Sequence, residues 1–250
     1  VIIGHEAGRY ADTMNYSTII GNNAGTMVSG SESVVIIGRN AGYYVSGNYN
    51  TFVGTNASLG GASLTHAGKE SVALGYNAMY YNSTANYNVA VGNNALQGAA
   101  AGLTGDNNVA IGREAMFSAS SGYSNTALGH QAMYDATEAA ETVAIGGWAA
   151  GDITTGKWNT AVGYTALRSG TTTNRNTALG YAAMQKYTQT GDGTNVAVGM
   201  YAMLDIETGS ANVAVGYKAL DGATGTDNDR NIAIGSETLA ASAGGSGNIA

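Results

Sequence analysis

The sequence predicts an all-β fold, a parallel β-solenoid of about 17-residue coils, and three observations predict it. The first is a recurring phrase: "NVAVGYKAL" at 212–220, "NTALGYAAM" at 176–184, "NTAVGYTAL" at 159–167 and "NTALGHQAM" at 125–133. Its glycine occurs 14 times, at Gly4, Gly21, Gly38, Gly54, Gly75, Gly92, Gly112, Gly129, Gly146, Gly163, Gly180, Gly199, Gly216 and Gly235. Eight of the 13 intervals are 17 residues and the others run from 16 to 21, so one segment varies in length while the motif stays intact. A fixed short period of this kind means stacked supersecondary units, each burying its apolar side on the next. The second observation is the β-branched character of the motif, and the third is the exclusion of charge from it.

The strand comes first. Three residues before the glycine every copy is β-branched, from Val1, Thr18 and Val35 to Ile232, and one residue before it every copy is aliphatic, from Ile3 to Ile234. Side chains alternate along a strand, so these two columns share one face. Between them stands Ile2, Ile19, Ile36 or Phe52 in the first four copies and Ala thereafter, so both faces are apolar, as in a strand covered on both sides. The glycine marks a corner where φ is positive or another backbone comes close. Three residues after it, 13 of 14 copies carry Ala, which fits a tightly packed inner position. An Asn precedes the strand at Asn50, Asn88, Asn108, Asn125, Asn159, Asn176, Asn195, Asn212, Asn231 and Asn248. Stacking is expected to place these amides in a hydrogen-bonded ladder, a reading favoured over a simple turn former because neither Asp nor Gly shares the column. All 27 charged residues avoid the apolar columns, so each repeat has an apolar half and a solvated, variable arm. Helices are disfavoured by the glycine and β-branched content and by the lack of a 3.6-residue period.

Two columns change together. In the first four copies the large residue two before the glycine is matched by Gly8, Gly25, Gly42 and Ser58 four after it. From the fifth copy the sizes reverse, as in Ala73 with Met79 and Ala90 with Leu96. One copy has small residues at both places, Ala144 and Ala150, with Trp148 beside them. A close-packed interior penalises voids and overfilling alike, so the two columns are expected to face one apolar space.

Composition narrows the function. With 11% charged residues and abundant aliphatics the chain is not of a disordered type, and it holds no uninterrupted apolar run long enough for a spanning helix. A net charge of −7 argues against a nucleic-acid surface, and the absence of cysteine removes disulfides and thiolate metal sites. The chain starts and stops inside repeats, so residues 1–250 read as a single repeat array of about 14 coils, the middle of a longer polypeptide. The second apolar strand face requires a partner, because a continuous apolar stripe does not stay in water, and closure about the long axis supplies one.

The motifs "NVAVGNNAL", "NTALGYAAM" and "NVAVGYKAL" resemble the repeats of bacteriophage tail-fibre proteins. They are similar, more distantly, to the "SVAIG"-type repeats in the heads of YadA-like trimeric autotransporter adhesins; "VAIG" stands here at 109–112 and 143–146. The resemblance covers essentially all 250 residues, although the YadA-like repeats are shorter and lack the "A-L/M" tail. It implies a homotrimeric fibre, on a virion tail or at a cell surface, that spaces or presents a receptor-binding region. A bacterial trimeric adhesin or extracellular filament is the alternative, and a polysaccharide depolymerase a remote one.

No residue pattern for chemistry stands out, and the chain is not expected to be an enzyme or to bind a cofactor or metal; no catalytic residue is assigned. His5, His66 and His130 have no metal spacing, and His5 and His130 occupy the variable place after the glycine. "TDNDR" at 226–230 lacks the ligand spacing of a calcium loop. Asp135, Glu138 and Asp152 fall in variable arms, where a carboxylate pair across neighbouring coils is conceivable but solvated charge is the simpler reading. Recognition is harder to dismiss. Tyr43, Tyr44, Tyr80, Tyr81 and Tyr123, among 16 tyrosines, stand in or beside the arms; covering the apolar coil is the weightier reading of them, and stacking on sugars of a cell-surface receptor is the other. The long arms at 59–70 and 97–107 are the places where a binding loop is tolerated.

Overall fold

A computed structural model shows how the repeat is used. It describes residues 1–12, 14–60, 67–222, 228–240 and 245–250. Among these there is no helix, and the chain is a parallel β-solenoid of about 13 turns. Two compact units, Val1–Asn125 and Thr126–Ala250, are built in the same way. The first carries the motif strands Ile2–Ile3, Thr18–Ile20, Val35–Ile37, Thr51–Val53, Val72–Leu74, Val89–Val91 and Val109–Ile111. The second carries Thr126–Leu128, Val143–Ile145, Thr160–Val162, Thr177–Leu179, Val196–Val198, Val213–Val215 and Ile232–Ile234. Within each unit successive strands pair in parallel and without slip, as in Thr18 with Val35, Ile19 with Ile36 and Ile20 with Ile37. The arms vary in length, yet every coil advances one rung.

The middle residue of each strand points inward, and from Ile19 to Ala233 this column is wholly buried. The two flanking columns point out. Of the two apolar faces read in the sequence, the inner one is therefore filled within the chain and the outer one is left half-exposed.

The motif glycine meets both conditions that single out glycine. Its φ is near +138° at Gly21, and a Cβ there would fall 2.5 Å from the carbonyl oxygen of Gly38 on the next coil. Beyond it the backbone takes a left-handed φ two and four residues on, and again five residues before the next glycine, whatever the side chain. Tyr201 (φ 62), Leu167 (φ 50) and Trp158 (φ 57) all do so. Non-glycine residues pay about 1–2 kcal/mol each for that region. What offsets the cost is hydrogen bonding along the axis, which continues round the corner: Gly38 N–H donates to Ile20 O at 2.8 Å, Asn40 N–H to Asn22 O at 2.9 Å and Leu96 N–H to Ala115 O at 2.8 Å.

The asparagines form the expected ladder inside the coil. Asn195 Oδ1 accepts from both the backbone N–H of Asn212 (2.9 Å) and its Nδ2 (3.0 Å), and Asn212 Oδ1 does the same for Asn231 (2.9 and 3.1 Å). The remaining amide hydrogen goes to the coil's own arm, as in Asn108 Nδ2 to Gly122 O at 2.8 Å. Buried amides are thus satisfied rather than stranded. Where the ladder lacks Asn, a hydroxyl takes over: Ser71 Oγ accepts from Asn88 N–H (3.2 Å) and Thr142 Oγ1 from Asn159 N–H (3.3 Å). A second ladder, two residues after the glycine, links Asn23, Asn40, Asn56 and Asn77 in the first unit.

The paired columns do face one space. A Cβ on Gly25 would meet Ile19 Cδ1 at 2.8 Å, and one on Gly42 would meet Ile36 Cδ1 at 2.9 Å. The structure adds a third member, seven residues after the glycine, because the same Cβ atoms would also meet Val28 and Val45 at 3.1 Å. Volume is traded among all three: Ile19, Gly25 and Val28 in one coil; Ala161, Leu167 and Gly170 in another. In the coil with Ala144 and Ala150 the missing bulk is returned by Ile153, fully buried, and not by Trp148. Trp148 lies outside, beneath the Arg168 guanidinium at 4.4 Å.

Ile153→Ala should therefore open a cavity and lower the free energy of unfolding by about 2–5 kcal/mol. Adding Ala150→Leu, the residue that neighbouring Leu167 places at this level, should recover part of that loss. Denaturant unfolding of the single and double variants measures both. An additive double variant would show that the two side chains do not share a space.

Candidate functional site

Four of the five singled-out tyrosines come together. Tyr43 and Tyr44 stand five and six residues after Gly38, and Tyr80 and Tyr81 stand five and six after Gly75. The coil between them carries Leu59 and Gly60 at the same offsets. In-register stacking places the small pair on the rung between the two tyrosine pairs, with Gly60 N–H donating to Tyr80 O at 3.0 Å. The result is a cleft of about 480 Å3 lined by Asn40, Tyr43, Tyr44, Leu59, Gly60, Tyr80 and Tyr81. That volume lies within the usual range for small-molecule sites.

The rings are held by each other and by the coil. Tyr43 and Tyr44 have ring centroids 4.7 Å apart, and Tyr80 and Tyr81 meet edge to face at 4.6 Å. The Asn40 side chain is fixed by the second ladder, its Nδ2 donating to Asn56 Oδ1 at 3.1 Å. Partial burial raises the Tyr80 phenol above its ordinary value, with Tyr81 and Tyr76 adding to the effect, so the hydroxyl stays a neutral donor. Among the described residues that line the cleft, none carries a formal charge. Tyr123, the fifth candidate, is exposed and not part of it.

A second feature is the outer strand face with its corner. In the second unit the exposed aliphatics Leu128, Ile145, Leu179 and Ile234 are edged by an aromatic row. Tyr164 stacks on Tyr181 at 5.6 Å with an interplanar angle of 20°, and Tyr201 follows edge-on at 5.4 Å, then Tyr217 at 6.2 Å. A further open groove, about 470 Å3, is lined by hydroxyl and amide groups of residues 188–190 and 208–210 and by Asp229.

The other sequence candidates fare differently. His5 and His130 are exposed; His66 and the first two residues of "TDNDR" lie outside the described residues. Among the described residues no cluster of three His, Cys, Asp or Glu is placed to hold a metal. Asp135 and Asp152 do fall on neighbouring coils. Burial raises the Asp152 carboxyl, Arg168 opposes the rise and the Asp135 charge adds to it. The Arg168 guanidinium faces Asp152 at 3.8 Å, and neither carboxylate lines one of the two clefts described above. The 97–107 arm is not a projecting loop: Leu103 is buried in the coil interior and its N–H donates to Tyr81 O at 2.8 Å. Of the 59–70 arm, residues 61–66 lie outside the described residues.

Sequence reasoning found the tyrosines and the 59–70 arm that begins with Leu59 and Gly60, but not Asn40, nor that Leu59 and Gly60 stand between the two tyrosine pairs. The available signal was the shared offset from the motif glycine, at which one coil lacks the bulky pair its neighbours carry. No family model matches the chain, and no curated protein or solved structure is significantly similar to it.

One buried phenol has a pH signature. Tyr187 is fully buried, and its hydroxyl donates to Gly209 O at 2.7 Å. Desolvation pushes its pKa up to about 12, partly opposed by hydrogen bonds with Asn195 and Thr173. The unfolded chain ionises this phenol near pH 10 and the folded chain near 12, so the folded state holds the extra proton in between and stability falls as pH rises through that window. Between pH 10 and 12 the native chain should lose up to about 3 kcal/mol more than Tyr187→Phe does, judged by denaturant unfolding at each pH. Parallel pH profiles for the two proteins would contradict the assignment.

Proposed function

We propose that this chain is a structural and adhesive fibre segment, of the phage tail-fibre type, which works as a homotrimer and spaces or presents a receptor-binding region. One observation carries the reading: the outer strand face. Two columns of Val, Thr, Ile and Leu recur in every copy of the motif, in register within each unit, with no charge among them. They stay half-exposed in the single chain; Leu128 is 43% exposed, Leu179 45% and Ile234 60%. Scattered exposed aliphatics need no explanation, but a continuous stripe repeated at rung spacing is the mark of an interaction surface. A stripe that runs from coil to coil can be covered by the same stripe of another copy, and closed rotation about the coil axis leaves no apolar edge. The number three rests on the resemblance of the motifs. The adhesive role rests on the tyrosine cleft, whose residues lie past the corner turn from the strand face.

Nothing in the site favours catalysis over this reading. The neighbouring carboxylates Asp135 and Asp152 share a surface with Arg168 and Trp148 rather than flanking one of the described clefts.

Light scattering should give a particle of three times the 25.2 kDa chain mass. Val162 and Val215 lie on the outer face, so Val162→Asp and Val215→Asp place a charge in the interface but not in the core of a coil. Each variant should shift the particle toward monomer while keeping its β circular dichroism. A stable, soluble monomer of the native chain would overturn the proposal.

A further inference from the structure

We infer that the cleft between the two tyrosine pairs is a binding site for a neutral saccharide. It rests on the fibre reading for its setting, as the place where a receptor glycan would be held; the chemistry of the site stands by itself. A sugar ring presents apolar C–H faces and a rim of hydroxyls. The protein side must therefore offer flat apolar surface with polar tips, and no charge to desolvate. The lining supplies four phenol rings, each with a hydroxyl that donates and accepts, one fixed amide at Asn40 and the backbone at Gly60.

The spacing fits a ring-sized guest. Parallel rungs repeat at about 4.8 Å, so tyrosine pairs two rungs apart are about 9.6 Å from each other along the axis. Van der Waals contact between carbon surfaces needs about 3.5–4.0 Å, so two contacts, one from each side, leave room for a single ring on the middle rung. Leu59 and Gly60 are what keep that rung open. An aromatic pair at those offsets would instead stack continuously, as Tyr164 and Tyr181 do in the second unit. A nucleotide is disfavoured by the absence of any cation among the described lining residues and by the chain's net charge of −7. An acidic sugar meets the same objection.

The test is calorimetric titration of the assembled chain with maltohexaose, a mixed-linkage glucan oligosaccharide, a mannan oligosaccharide, a galactan oligosaccharide and sialyllactose. Light scattering on the same samples reports assembly separately. At least one neutral oligosaccharide should bind, and sialyllactose should bind less well. Tyr44→Ala and Tyr80→Ala should each weaken binding at least about tenfold, while Tyr123→Ala leaves it unchanged. Leu59→Trp keeps every tyrosine and fills the middle rung, so it should abolish binding in a particle of unchanged mass. No binding by any neutral oligosaccharide, binding indifferent to Leu59→Trp and Tyr44→Ala, or preference for sialyllactose would overturn the inference. None of these outcomes bears on the mass, so the fibre reading stands or falls on its own measurement.

Discussion

The approach of one motif glycine to the next governs the rest of the molecule. Within each unit the motif glycine lies so closely against the carbonyl of its successor that a single added carbon would collide with that oxygen, at 2.5 Å for Gly21 over Gly38 and for Gly199 over Gly216. With no side chain in the way, backbones stack at strand spacing through a sharp corner as well as along the strand. Register is then fixed at the corner, and arms of unequal length leave it undisturbed. This is why the phrase is written so many times: a catalytic motif is needed once, but a stacking contact is needed at every rung.

Stacking also explains the tolerated strain. Left-handed backbone at Leu167, Tyr201 or Trp158 goes against local preference. Each such residue nonetheless belongs to a coil whose amides bond to the coils before and after, and whose side chains fill a space shared by three columns. Local cost is outweighed because the coil has no other conformation that keeps both neighbours bonded. The first coils show the cheaper solution, with Gly25 and Gly42 at one of these positions and Asn23, Asn40 and Asn56 at another. Later coils give it up because Met or Leu is needed there to replace the bulk lost when Ile19 and Phe52 give way to Ala.

The parts of this architecture that depend on period were legible in the sequence. The strand, the corner glycine, the inner asparagine ladder and the trade between the columns of Ile19 and Gly25 all follow from aligning copies. What was not legible depends on the arm, where length changes hide the alignment. Val28, Ile153 and Tyr187 share the interior with the motif residues, yet in the sequence they stand in the variable segment. Bulk at Trp148 suggested a core filler, but its ring lies outside the coil beneath Arg168, while the equally left-handed Leu167 at the next offset of its own coil is buried, and neither placement can be read from residue type. The tyrosine cleft was half legible. The aromatic residues drew notice by type, but their meeting across 37 residues of chain depends on the rung count, and the opening depends on two residues that are unremarkable alone.

The same offsets that carry tyrosines in the first unit carry charge in the second, where Lys186 pairs with Asp205 at 2.6 Å and Arg168 with Asp152 at 3.8 Å. Such exposed pairs contribute little to stability. The fold does not need them, nor does it need the tyrosines. Most described residues five or six places past the glycine keep their side chains outside the core, Thr26 being the buried exception, so their identity is freer to vary. A solenoid thereby separates the residues that make it stand from those that meet the surroundings. A site arises when neighbouring coils differ at one free offset, as the Leu59–Gly60 rung differs from the tyrosine rungs beside it. The inner columns cannot produce such a site, because each change there must be answered within the same coil.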